Sequence, residues 1–239
     1  YKGIKMIFRK KKKENAGKIV VAGEFERKDK GGYDRLRDNV LFINADGNTN
    51  VIQIESSVAH EGKTTVACNL AVSLGQAGKK TIVAELDFHR PMAHRLFKVP
   101  GGDGIAEYML GTLDKKDIIK HTDFENVDVL TRGAAIDNPS LVLISEKFKS
   151  LIAELKNTYD YVILDCAPVV QSSDYIHISK VSDGVILLVA HAETTRNQLE
   201  EAVTELKKND VKILGTAFTM YNPKKGYDYY YGEKNYYAK

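Results

Sequence analysis

Short apolar runs rich in β-branched residues alternate along this chain with longer stretches in which apolar residues recur at helical spacing. The apolar runs predict strands at Val51–Ile54, Thr81–Ala84, Val127–Thr131, Tyr161–Leu164, Gly184–Ala190 and Lys212–Phe218. The helical pattern lies around Tyr33–Asn39, in the stretch after the first strand that ends at Ala77, at Ile105–Leu110, from Asn138 onward, near Ser172–Val181 and at Thr194–Lys208. Because continuous apolar strands between helices are typical of parallel sheets, we expect an α/β fold with a mostly parallel sheet and helices on both faces.

A phosphate-binding loop is predicted between the first strand and the helix that follows it. Ser57–Thr65 fits the pattern G-x-x-x-x-G-K-[ST] except that Ser57 stands at the first glycine. In such a loop backbone N–H groups and the helix N-terminus point at one phosphate chain. Lys63 is expected to reach the β- and γ-phosphates, and the Thr64 hydroxyl to hold Mg²⁺. The predicted cofactor-binding residues of the loop are Ala59, His60, Glu61, Gly62, Lys63, Thr64 and Thr65.

Acidic residues follow two further predicted strands. Glu85 and Asp87 come directly after the strand at Thr81–Ala84, and Asp165 ends the strand at Tyr161–Leu164. The carboxyl ends of parallel strands form the edge at which ligands bind. Asp165 has the Walker B pattern of an acid that faces magnesium.

Composition indicates a protein with one substantial core. The chain has 239 residues, of which 43% are hydrophobic, and its formal charge of +3 is too small to argue for nucleic acid. No window approaches the ~18 apolar residues of a membrane span, so we expect a cytoplasmic location. Two cysteines, Cys68 and Cys166, fit a reducing compartment. We divide the chain into a basic segment and linker (1–30), a domain built around the phosphate loop (31–220) and a flexible tyrosine-rich tail (221–239).

Positive charge is concentrated at the N-terminus, where Lys10 through Lys13 precede the first acid, Glu14. Such a run is typical of a solvated tail. Alternatively, it anchors the domain at the inner face of a membrane, because each lysine near an anionic leaflet contributes about 1 kcal/mol. The sequence also leaves open whether the segment belongs to a longer fusion or translation begins at Met6.

The motifs together resemble those of the bacterial tyrosine kinases of capsular and exopolysaccharide systems, which are P-loop proteins related to MinD and ParA. The resemblance rests on Glu61–Thr65, Glu85–Asp87 with Arg90-Pro91, Asn138–Ser140 and Tyr159–Asp165 with Pro168. It extends to the tail, because seven of the 13 tyrosines fall at or after Tyr221. MinD and ParA relatives usually carry a second lysine near the start of the loop, which Val58–His60 lacks.

The resemblance implies an ATP- and Mg²⁺-dependent autokinase. Lys63, Glu85, Asp87 and Asp165 are then catalytic, Thr64, Glu85 and Asp165 approach the metal, and Thr219 stands where an asparagine reads adenine. A membrane-spanning polysaccharide co-polymerase, fused or separate, is the implied partner, and a homo-oligomer is implied as well. The implied phosphoacceptors, on a neighbouring subunit, are Tyr227, Tyr229, Tyr230, Tyr231, Tyr236 and Tyr237.

Several positions depart from the family pattern. Glu85 replaces an aspartate, His89 an arginine and Thr219 the asparagine. The oligomerisation motif Glu-x-x-Arg-x-x-Arg becomes Gly31–Arg37, in which only Arg37 matches and Asp34 reverses a charge, so a ring would be weakened. Three functions therefore remain open: an active tyrosine autokinase, a catalytically weak nucleotide-binding module of the same export machinery, and a MinD- or ParA-like ATPase.

Overall fold

A computed structural model describes residues 18, 19, 21 and 27–220 of the chain. Within that part, the strands form one sheet in the order β3-β4-β2-β5-β1-β6-β7, in which only the β3–β4 pair is antiparallel. The strands are β1 (Val51–Ser56), β2 (Thr81–Glu85), β3 (Ile119–His121), β4 (Val127–Leu130), β5 (Tyr161–Asp165), β6 (Gly184–Ala190) and β7 (Ile213–Thr219). The predicted α/β class with a mostly parallel sheet is confirmed.

Nine helices connect these strands within the described residues. They are α1 (Arg27–Ile43), α2 (Lys63–Gln76), α3 (Ala93–Leu96), α4 (Ile105–Leu110), α5 (Lys115–Ile118), α6 (Pro139–Leu143), α7 (Glu146–Thr158), α8 (Asp174–Ser179) and α9 (Arg196–Lys208). No helix in these described ranges combines the length and the apolar character needed to cross a bilayer.

The core lies on both faces of the sheet because successive side chains of a strand point in opposite directions. On one face, Ile163 of β5 packs in the same apolar cluster as Leu70 and Leu74 of α2. On the other, Leu164 joins a cluster with Phe148 of α7. All six residues of β1 and all five of β5 are buried. Burial on both faces explains the apolar run of β5, whereas β1 also buries the polar residues Gln53, Glu55 and Ser56.

Some elements differ from the sequence predictions. The stretch from Asn138 forms two helices, because Ser145 begins a new one by accepting a hydrogen bond from the Phe148 amide. The short elements α3, α5 and β3 were not predicted, since three or four residues give too little periodicity. Helix α1 begins at Arg27, inside the predicted linker. The predicted basic run and tyrosine-rich tail lie outside the described residues, so the domain division stays a prediction.

The packing of α2 against the sheet edge predicts opposite effects for two glycine substitutions. A Cβ on Gly75 would lie 2.6 Å from the Glu125 carbonyl oxygen and 2.6 Å from Val127, whereas nothing lies within 4 Å of one on Gly32 of α1. Gly75→Ala should therefore lower the free energy of unfolding by about 1–3 kcal/mol. The control, Gly32→Ala, should raise it by up to about 1 kcal/mol through helix propensity. Urea denaturation measures both, and a stabilising Gly75→Ala would contradict the packing.

Candidate active site

The predicted phosphate loop lies between the end of β1 and the start of α2. Gly62 precedes the helix with φ 94°, a backbone conformation that side chains with a Cβ rarely adopt. Lys63, the first helical residue, is 8% exposed, and its Nζ donates to Ser56 Oγ at 3.0 Å. The hydrogen-bond partner of this ammonium group among the described residues is therefore a neutral hydroxyl.

Glu61 holds the loop from within. Its carboxylate is 2% exposed and accepts hydrogen bonds from the Val58 amide at 3.1 Å and from the Thr194 hydroxyl. Its backbone carbonyl accepts the Thr219 hydroxyl at 2.8 Å. Two segments distant in the sequence therefore meet at this one residue of the loop.

Asp165 is a fully buried acid at the end of β5, directly opposite Glu85 of β2 in the strand register. Neither of its carboxylate oxygens has a hydrogen-bond partner among the described residues. Burial raises the pKa of Asp165 to about 7, and the nearby Thr64 hydroxyl and Lys63 ammonium oppose part of the rise. An unpaired buried carboxylate is costly and normally has a ligand or metal partner.

Asp87 lies in the turn after β2 and is partly exposed. Its Oδ1 accepts the amides of His89 at 3.2 Å and Arg90 at 2.9 Å, which fixes the turn. The negative charge of Asp87 contributes to the raised pKa of Asp165, which shows that the two carboxylates lie close enough to interact electrostatically. Arg90 in turn approaches His60 of the loop at 3.5 Å.

The Glu85 carboxylate is fully buried and already has several partners. Its Oε1 accepts the Ala93 amide at 2.7 Å and contacts His94 Nδ1 at 3.0 Å. Its Oε2 accepts the Arg132 amide at 3.1 Å. These bonds connect β2 to α3 and to the segment after β4, and approach to a metal would require some of them to break. The role of Glu85 at the metal therefore stays a prediction.

Two further buried groups lie close to the site. Glu55 of β1 was not predicted as functional; burial raises its pKa to about 8, and its Oε1 accepts the Gln53 amide at 2.7 Å. The sequence signal was an acid inside an otherwise buried strand. Burial also raises the pKa of the Cys166 thiol, which disfavours its reactive thiolate form.

The structure thus brings together the loop residues with Asp87 and Asp165, while Glu85 bonds to α3. Thr219 ends β7 and contacts the loop through Glu61. The six predicted phosphoacceptor tyrosines lie outside the described residues.

Comparison with known proteins identifies the family. Residues 40–216 match the family described as AAA domain. The chain is 30% identical over 200 residues to a putative tyrosine-protein kinase, CapB of Staphylococcus aureus, covering 83% of this chain and 88% of CapB.

Two solved structures agree with this result. The chimerical protein CapA2B2 superposes with a TM-score of 0.79 at 29% identity, covering 84% of this chain and 88% of that one. The septum site-determining protein MinD of Pyrococcus horikoshii, complexed with Mg-ADP, gives 0.60 at 27% identity, covering 70% and 69%. This chain therefore belongs to the bacterial tyrosine-protein kinases built on a P-loop AAA domain.

Proposed function

We propose that this chain is an ATP-dependent protein-tyrosine autokinase that phosphorylates its own C-terminal tyrosine cluster and regulates capsular or exopolysaccharide synthesis and export. The observation that carries the proposal is the buried, unpaired carboxylate of Asp165 beside the Lys63 ammonium and the Thr64 hydroxyl. A P-loop that presents one cation, one hydroxyl and one free carboxylate has the groups that phosphoryl transfer requires.

Lys63 and the loop amides are the groups we assign to the phosphates of ATP. The Lys63 ammonium group has a neutral hydroxyl as its hydrogen-bond partner, Ser56 Oγ, which is a weaker partner than a phosphate oxygen. Exchange of that hydroxyl for the β- and γ-phosphates therefore costs little. The amides of Ala59 through Thr65 complete the cradle at the helix N-terminus.

Thr64 and Asp165 are the residues that would hold Mg²⁺. No group of three or more His, Cys, Asp or Glu side chains suited to a metal occurs in the described part of the chain. Mg²⁺ at nucleotide sites usually has one or two protein ligands and takes the rest from water and phosphates, so a hydroxyl and one carboxylate fit it. When bound, it would neutralise charge on the transferring phosphoryl group.

Asp87 is our candidate for the base that accepts the tyrosine proton. Both of its backbone hydrogen bonds fall on Oδ1, which leaves Oδ2 for a proton. A phenol with a pKa of about 10 is a weak nucleophile at neutral pH, so a positioned carboxylate raises the rate.

The partner and the assembly follow from the family likeness and one contact. We propose that the chain works with a membrane-spanning co-polymerase at the inner face of the membrane. Arg37, the surviving residue of the oligomerisation motif, is engaged within its own chain: it pairs with Asp34 at 3.1 Å and Asp38 at 2.8 Å, and donates to Ser73 at 3.3 Å. This supports a homo-oligomer that is weaker than the usual ring.

A catalytically weak regulatory module is the second candidate. The hydrogen bonds that hold Glu85 away from a metal favour it. A phosphate-transfer assay decides between the two.

Lys63→Met should abolish labelling when the purified chain is incubated with γ-labelled ATP and Mg²⁺, with and without the cytoplasmic part of the partner. We expect a loss of at least about 10²-fold, since the charge that meets the phosphates is removed. Lys116→Met, an exposed lysine of α5, is the control and should label normally. Deletion of Tyr227 through Lys239 should remove most phosphotyrosine but leave ATP binding intact. Undiminished labelling of Lys63→Met would refute the loop assignment, and an unlabelled wild type would favour the regulatory module.

Asp165→Asn should change how stability depends on pH. The pKa of Asp165 rises from 3.8 to about 7, so between these values the folded protein retains a proton that the unfolded chain releases. Ionisation of Asp165 therefore lowers the free energy of unfolding as pH rises above 3.8, and this loss reaches its full size above about pH 7. Relative to wild type, the variant should be more stable at about pH 8 than at about pH 5 in urea unfolding without Mg²⁺. It should also lose the stabilisation that Mg²⁺ and ADP give the wild type.

Glu85→Asp tests the predicted role of Glu85 as a residue that approaches the metal. Because the shorter side chain cannot keep its bonds to Ala93 and Arg132, we expect the free energy of unfolding to fall by about 1–3 kcal/mol. The phosphorylation rate should fall with it, while the Mg²⁺ dependence stays unchanged. A faster reaction at unchanged stability would instead place Glu85 at the metal.

A further inference from the structure

The phosphate loop is held by two hydroxyl groups, one from the connection after β6 and one from the end of β7. Thr194 lies in the connection after β6, and its Oγ1 accepts the Ala190 amide at 2.8 Å while donating to the Glu61 carboxylate. One side chain thus joins the end of β6 to the loop. A residue that both accepts and donates in this way fixes the position of its partner.

Thr219 makes the second contact. Its hydroxyl donates to the Glu61 carbonyl oxygen at 2.8 Å, and its backbone carbonyl accepts the His191 amide at 2.9 Å. It also packs on the loop, since a Cβ on Gly62 would lie 3.9 Å from both Thr219 Cβ and Thr219 Cγ2. The single hydrogen of the hydroxyl is therefore committed to the peptide that precedes Gly62.

We infer that Thr219 is a positioning residue for the phosphate loop and not a reader of adenine. Its hydroxyl fixes the Glu61–Gly62 peptide, which adjoins the left-handed Gly62 and the start of α2, where the amides that face a phosphate chain begin. Thr194 acts on the same residue through the Glu61 carboxylate. This inference rests on the proposed function in one respect, that the loop binds ATP.

The two roles differ in their dependence on the base. A residue that reads adenine acts on ATP and leaves ligands without adenine unaffected. A residue that shapes the loop acts equally on every ligand that carries the phosphate chain. Inorganic triphosphate, which has no base, separates the roles directly.

The test measures the affinities of ATP, GTP and inorganic triphosphate, each with Mg²⁺, by calorimetry for the wild type and for Thr219→Val. Valine keeps the shape and removes the hydroxyl, so we expect all three ligands to lose affinity by a similar factor, about 5-fold, the size of one neutral hydrogen bond. Thr219→Ser should restore binding of all three to within about 2-fold. The matched control is Thr216→Val, the same substitution at an exposed position of β7, which should bind like wild type.

Four results would overturn the inference. A loss for ATP alone, with triphosphate binding unchanged, would make Thr219 an adenine reader. Equal binding by Thr219→Val and the wild type would show that the contact does not shape the loop, while the proposed function would stand. If the wild type binds neither ATP nor triphosphate, both the inference about Thr219 and the proposed function are wrong. If Thr219→Val does not fold, judged by its melting temperature against Thr216→Val, then Thr194→Val should produce the same base-independent loss, and unchanged binding there counts against the inference.

Discussion

The double pairing of β1 is the constraint on which the rest of the structure depends. This strand has β5 on one side and β6 on the other, both parallel, and every one of its residues is buried. Because the register sets Ile54 beside Asp165, the end of β5 and the start of the phosphate loop must lie at the same edge. A shift of two residues in the β1–β5 ladder would separate the acid from the loop.

Burial at this edge has an electrostatic cost that the fold carries in the free state. Asp165 and Glu55 both have raised pKa values, and each has at least one oxygen without a partner among the described residues. Glu55 receives compensation from Gln53, whereas the rise in the pKa of Asp165 is opposed by the Thr64 hydroxyl and the Lys63 ammonium. The proposed ligand, a phosphate chain with its metal, is of the kind that would relieve such a site, and its binding would then stabilise the folded state.

Sequence patterns predicted the layers and the loop but not the partners of individual side chains. The strand from Tyr161 was predictable from a continuous apolar run, the strand from Val51 from three apolar residues among four, and the loop from a short motif. The partners of Glu85 could not be predicted in this way. The Ala93 and Arg132 amides come from separate segments, and only tertiary packing brings them to β2. The same applies to Thr219, whose contact with Glu61 spans 158 positions of sequence.

The hydrogen bond between Thr219 and Glu61 also sets the reach of the chain beyond it. The predicted acceptors Tyr227 and Tyr237 follow Thr219 by 8 and 18 residues, which corresponds to a contour of at most about 29 Å and about 65 Å. A segment joined to the chain beside its own proposed nucleotide site would meet that site at a high effective concentration, in the millimolar range for short linkers. Length alone therefore does not favour transfer between neighbouring chains over transfer within one chain. Any preference for a neighbour has to come from how assembly restricts the tether.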